Sequence, residues 1–153
     1  MTSDHRLFPR AVAAFLAAAL VVVPASAADP DPADLPAVDP QDNPYNAIDG
    51  KVDQGTYNGF RRYHASCHTC HGPAGNGSSF APALKESVKD MAFADFLNTV
   101  VNGRQVDSAS GQRVMPAFGT NPNVMNHIND IWGYLKARAD GAVGPGRPKR
   151  IGR

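Results

Sequence analysis

The chain has 153 residues, 42% of them hydrophobic, which is the mass and composition of one ordinary globular domain. Fifteen Lys and Arg against fourteen Asp and Glu give a net charge of +1, so neither a basic excess for nucleic acid nor an acidic excess for disorder is present. Two cysteines exclude a disulfide-built scaffold, and thirteen prolines with fourteen glycines forecast long loops.

Residues 1–10 are polar and carry Arg6 and Arg10; Ala11 to Val23 runs without a charge, and Ala25-Ser26-Ala27 is a small-x-small cleavage pattern. Basic, apolar and small residues in that order read as a secretory signal over 1–27. A retained anchor is the poorer reading, because a span takes roughly 20 apolar residues and Arg10 stops this run early. Cleavage removes Asp4, Arg6 and Arg10 and leaves 13 basic and 13 acidic residues in an oxidising compartment, the periplasm. The next stretch, 28–45, holds five prolines and five aspartates by Pro44 and reads as an extended, flexible leader. A domain over 46–141 follows, and 142–153 is a basic tail.

Within the domain, Asp53 is placed to cap a helix running to Ala65, with Tyr57, Phe60 and Tyr63 at helical spacing. Gly55 and Gly59 each cost such a helix roughly 1 kcal/mol against alanine, so a close approach by another element is expected there. The helix leads into Cys67-His68-Thr69-Cys70-His71. Cys-x-x-Cys-His is the attachment pattern of c-type haem: each thiol adds to one vinyl group, and the following histidine lies under the iron. A structural zinc needs about four ligands and finds no further cysteine here. A thioredoxin-type pair needs a preceding strand, and a disulfide across two residues is strained and leaves His71 unused. The cofactor expected is therefore one covalent haem c on Cys67 and Cys70, with His71 as proximal ligand.

Gly72-Pro73 to Leu84 forms a glycine- and proline-rich loop. Pro82 in it is a candidate to accept the His71 Nδ1–H through its carbonyl, with an ordinary turn proline as the equal alternative. Ala92 to Asn102 then sets Phe93, Phe96, Leu97, Val100 and Val101 on one face, and Gly103 terminates it. Candidates for the second axial ligand are Met91, Met115, Met125, His64, His68 and His127. His64 and His68 adjoin the attachment turn, on the wrong side to reach the opposite face of the haem. Met91 and Met125 sit in helical stretches where methionine fills gaps, and His127 reads as surface. Met115 stands 44 residues beyond His71, in a loop, and Pro116 presses it into an extended conformation suited to projecting a thioether. Met115 is the distal ligand expected. A last helix is expected from the Asn121 cap and Pro122 through Val124, Ile128, Ile131, Trp132 and Leu135 to Arg138. No alternating run is long enough for a sheet, so the fold expected is all-α. The cluster of Arg147, Lys149, Arg150 and Arg153 reads either as a docking face for an acidic partner or as a solvated tail.

In this order the parts resemble a class I monohaem cytochrome c. Gly59 and Tyr63 before CHTCH are similar to that family's first helix, Pro82 and Leu84 to its proximal loop, and Met115-Pro116 to its methionine loop. Ile131, Tyr134 and Leu135 resemble its last helix, whose aromatic packs across the first helix at its glycine. The resemblance implies a cytochrome c fold of about three main helices around one haem, and a monomer that moves electrons and catalyses no bond change. DGKVDQGTYNGFRRYHASCHTCHG, FGTNPNVM and YLKARADGAVGPGRPKR are further similar to soluble cytochromes associated with methanol or other quinoprotein alcohol dehydrogenases. That likeness implies a pyrroloquinoline-quinone dehydrogenase as donor and a downstream cytochrome or terminal oxidase as acceptor. The competing readings are a haem protein with an open sixth site, serving as sensor or enzyme, and a haem subunit held permanently on a dehydrogenase.

Overall fold

A computed structural model of the chain describes residues 28–108 and 111–152; the signal segment read at 1–27 and Arg153 lie outside the described residues. Helix α1, Gln54–Ser66, starts where the Asp53 carboxylate accepts from the Thr56 amide at 2.9 Å and the Thr56 hydroxyl at 2.7 Å. Its buried residues Thr56, Gly59 and Tyr63 recur every three to four positions, so one stripe faces inward. The chain continues through Cys67 into α2, His68–His71, and then α3, Leu84–Ser87. Helix α4, Phe93–Asn102, ends at Gly103 with φ +72°, a conformation that favours glycine.

The last helix is not continuous. Asn121 caps a short α5, Pro122–Met125, and the chain breaks at Asn126 and His127 before α6, Ile128–Ala139. His127 leaves helical dihedrals, and its ring lies 3.1 Å from the Asn58 amide nitrogen and 3.4 Å from the Asp130 carboxylate. A side chain tied across to α1 thus marks the break that apolar periodicity passes over. Helix α6 is buried nearly all round, at Ile131, Trp132, Gly133, Tyr134, Leu135 and Ala137. That fits a helix packed on two sides: α1 covers one, while Phe93 and Phe96 of α4 meet the Trp132 ring at 5.8 and 5.0 Å on the other.

The all-α expectation needs correcting, because strands are present. Ala47–Ile48 (β1) pairs antiparallel with Lys51–Val52 (β2) across the Asp49-Gly50 turn. A hairpin follows α4, with Arg104–Ser108 (β3) pairing antiparallel to Gly111–Met115 (β4) in the register Arg104 to Met115. Lys149–Arg150 (β5) completes the first sheet, parallel to β2, in the order β1-β2-β5. The hairpin lacks the inward apolar alternation of a half-buried strand: Val106 and Val114 are 42% and 61% exposed.

Leader and tail both join the body. The free carbonyls of a proline-rich segment accept from inside the domain: Pro40 O from the Trp132 indole at 2.7 Å, and Pro36 O from the Asn46 side chain at 2.8 Å. Asp29 meets Lys51 at 2.6 Å. In the tail, Ile151 is 5% exposed and its amide donates to Val52 O at 2.9 Å; burying such a side chain is worth about 2 kcal/mol. Arg147 and Arg150 stand 5.3 and 5.0 Å from the Tyr57 ring centre, and Arg150 also donates to Gln54 at 2.7 Å. These two guanidiniums hold the tail on α1, so it is neither free nor merely solvated there.

Candidate haem site

The end of α1 sets the site. The Cys67 amide donates to Tyr63 O at 2.8 Å, and the His71 amide to Cys67 O at 3.0 Å. Cys70 and His71 therefore both lie one helical turn after Cys67, and both thiols are free. Burial pushes the Cys67 thiol up to about 11, with the neighbouring Cys70 adding to the shift. That is the reverse of the lowered value that an exchanging Cys-x-x-Cys pair uses, and it applies to the chain before haem attachment.

His71 is 7% exposed, and its Nδ1 lies 2.9 Å from Pro82 O. A carbonyl only accepts, so Nδ1 carries the proton and Nε2 keeps the lone pair. The loop that brings Pro82 round is compact. The Gly77 amide donates to His71 O at 2.7 Å, and a Cβ on Gly77, which has φ +83°, would stand 2.8 Å from Ala83 N. Two helices brace the same loop: the Tyr63 hydroxyl donates to Gly72 O at 2.6 Å, and Arg138 Nε to Ala74 O at 3.2 Å.

Met115 lies on a different element. It closes β4, half-buried against the core, while Val114 beside it faces out. Beyond Pro116, the amides of Phe118 and Gly119 donate to Val100 O and Val101 O at 2.9 and 3.1 Å, pinning the loop to the end of α4. Of the other ligand candidates, Met91 and Met125 pack on the core, His127 faces Asn58 and Asp130, and His64 and His68 lie along α1 and α2. Sequence reasoning missed the strand that carries Met115; its signal was the register of two polar pentapeptides, which periodicity does not detect.

On α6, Tyr134 meets Phe60 edge-on at 5.6 Å and Tyr63 at 5.4 Å. Its hydroxyl is buried and has no hydrogen-bond partner among the described residues. Burial pushes Tyr134 up from its ordinary 10 to about 12. Between those values the folded protein holds a proton that the unfolded chain has released, so stability falls as pH rises from 10 towards 12 and is unaffected below about 9. Tyr134→Phe is expected to keep or raise stability at pH 8, by up to about 1 kcal/mol. It is also expected to lessen the loss between pH 8 and 11, measured as urea midpoints at the two pH values.

A buried imidazole committed through one nitrogen to a carbonyl, with one free thiol beside it and another a turn earlier, is the holding arrangement of a c-type haem protein. Among the described residues no group of three or more His, Cys, Asp or Glu converges on a metal position, so a zinc site lacks its ligands whereas a haem, needing one imidazole and two thiols here, fits. Comparison with known proteins agrees. The family model described as cytochrome C oxidase, cbb3-type, subunit III matches residues 55–135. Cytochrome c-553I of Paracoccus denitrificans is 50% identical over 104 residues, covering 68% of this chain and 46% of that protein. Cytochrome c-555 of Methylococcus capsulatus is 40% identical over 101 residues, covering 65% of this chain and 76% of that one. The crystal structure of the c-type cytochrome XoxG from Methylobacterium extorquens AM1 matches with a TM-score of 0.59 at 51% identity, over 65% of this chain and 60% of that chain.

The chain belongs to the c-type cytochrome family, with its cytochrome c fold and its covalently bound haem c. It spans about half the length of cytochrome c-553I, at 46%.

Proposed function

We propose that this cytochrome is a periplasmic one-electron carrier, exported by the segment 1–27, and not an enzyme. Cys67 and Cys70 would hold the haem by thioethers, His71 Nε2 and the Met115 sulfur would ligate its iron, and Pro82 O would orient His71. The observation that carries the reading is the buried His71 ring with Nδ1 2.9 Å from Pro82 O, which leaves Nε2 alone available. When bound, the haem supplies a one-electron iron couple. The carbonyl keeps His71 in one tautomer and makes it a stronger donor. The soft sulfur of Met115 favours the reduced metal and raises the potential. Two protein ligands leave no position for a substrate, so transfer is outer-sphere, through a small interface of less than about 1,200 Å² from which partners leave quickly. No helix among the described residues is long and apolar enough to cross a membrane.

The donor that the sequence likeness supports is a quinoprotein (PQQ) alcohol or methanol dehydrogenase, with a downstream cytochrome or terminal oxidase as acceptor and the carrier itself a monomer. Stopped-flow mixing of the ferric protein with a purified, substrate-charged quinoprotein methanol dehydrogenase is expected to show full haem reduction with a salt-dependent rate. Absence of reduction by the dehydrogenase, with normal reduction by dithionite, rejects the donor. Co-elution of cytochrome and dehydrogenase from the native periplasm would instead make it a permanent subunit.

A further inference from the structure

We propose that His64 and His68 form a two-imidazole binding site for a divalent transition-metal ion of the zinc and copper class. Neither residue has a part in holding the haem. Cys67 between them keeps helical dihedrals, so His64 at the end of α1 and His68 at the start of α2 are four apart on one continuous face. Their rings stack, 5.5 Å between centres and 20° between planes.

Each ring is committed in the same way. His64 Nδ1 lies 2.8 Å from Phe60 O, and His68 Nδ1 lies 2.6 Å from His64 O. Because a carbonyl only accepts, both Nδ1 atoms carry protons and both lone pairs reside on Nε2. A histidine that binds a metal characteristically donates its other N–H to such a partner, which fixes the tautomer and strengthens the ligand. Among the described residues neither Nε2 has a hydrogen-bond partner, and neither atom is buried without one. The His64 ring is held further by Phe60 at 4.2 Å and by the edge of Tyr63 at 5.3 Å.

Imidazole nitrogen selects zinc, copper and nickel over the alkaline-earth ions. With metal–nitrogen bonds of about 2.0–2.1 Å, the two Nε2 atoms of a shared ion stand at most about 4.2 Å apart. Rings centred 5.5 Å apart and 20° from parallel must turn toward each other to share one ion. Two protein ligands leave the remaining positions to water, which makes the ion exchangeable and distinguishes it from a closed structural zinc. The site uses neither thiol and not His71, so it stands apart from the axial-ligand assignment.

Calorimetric titration of the haem-loaded protein with ZnCl2, and separately with CuSO4, at neutral pH tests it. The expected result is one ion per chain, with Cu2+ bound more tightly than Zn2+. His64→Gln and His68→Gln should each weaken binding about tenfold or more, while His127→Gln leaves it unchanged. The visible haem spectrum and thermal midpoint of each variant check that it has folded. Should His68→Gln, inside the attachment motif, impair haem loading, His64→Gln carries the test alone. No saturable uptake by the wild-type protein, unchanged uptake in His64→Gln, or loss of uptake in His127→Gln overturns the proposal.

Discussion

Replacing Gly59 by alanine is expected to cost the fold about 3 kcal/mol or more, although alanine is by itself the better helix former by roughly 1 kcal/mol. A Cβ at this position would stand 1.8 Å from Asp130 O and 3.0 Å from Ile131 N, both backbone atoms of α6. Backbone cannot rotate away as a side chain can, so the two helices must part. Their interface is the most extensive helix contact in the described structure, and it buries Tyr63, Ile131, Tyr134 and Leu135. For a domain of this size each kcal/mol is worth roughly 4–8 °C, which puts the expected fall in thermal midpoint on the order of 15 °C. Gly55→Ala is the comparison. Its Cβ would meet only carboxylate oxygens, Asp130 Oδ1 at 3.0 Å and Asp53 Oδ1 at 3.2 Å, and side chains can yield. That variant is expected within about 1 kcal/mol of the parent. Thermal unfolding of both variants, followed by circular dichroism, decides the matter: equal midpoints would mean that the crossing does not depend on the close approach at Gly59.

The same crossing shows what the residues disclosed in advance and what they withheld. Two glycines in one helix signalled that something approaches closely, and at Gly59 something does. The approaching group is the Asp130–Ile131 backbone rather than an aromatic ring; Tyr134 packs one turn further on, against Phe60 and Tyr63. The Asp53 cap and the Gly103 stop were legible because they are local: cap and capped amide lie within three residues. The haem was legible for the same reason, its whole signature lying within five positions. What stayed hidden is long-range or too short to carry a period. Strands of two residues, such as Ala47–Ile48 and Lys149–Arg150, contain no alternation to read, and Lys149 pairs with Lys51 across almost the whole domain. The first hairpin's turn, Asp49-Gly50, is a two-residue signal that the sequence reading passed over. The β3–β4 hairpin is exposed on its strands, so burial imposes no pattern on its sequence. Composition reports how little apolar mass the leader has but not the presence of unpaired carbonyls, which Trp132 and Asn46 use.

Met115→Ala is expected to change the haem iron's behaviour while leaving the haem covalently attached, because attachment depends on Cys67 and Cys70 alone. The ferrous variant should bind carbon monoxide rapidly at neutral pH where the parent does not, and its reduction potential should fall on the order of 0.1 V. That is a modest part of the roughly 0.8 V that ligands and surroundings span in haem proteins. The direction follows from the loss of a soft thioether that favours the reduced metal. Its placement argues for Met115 over the other methionines. The hairpin delivers it from one side, and the Phe118 and Gly119 amides tie the following loop to Val100 and Val101 on the other, so the residue between is held at both ends. All three methionines pack on the core, but neither Met91 nor Met125 stands between a hairpin and a loop tied back to α4. Met91→Ala and Met125→Ala, both only partly buried, should therefore lose about 1 kcal/mol of stability and leave the carbon monoxide affinity alone. A potential and an optical spectrum unaltered in Met115→Ala, with the change appearing in Met125→Ala instead, would transfer the distal role to the other residue. Tight carbon monoxide binding by the parent itself would give the site an open position, and outer-sphere transfer would no longer be its only possible chemistry.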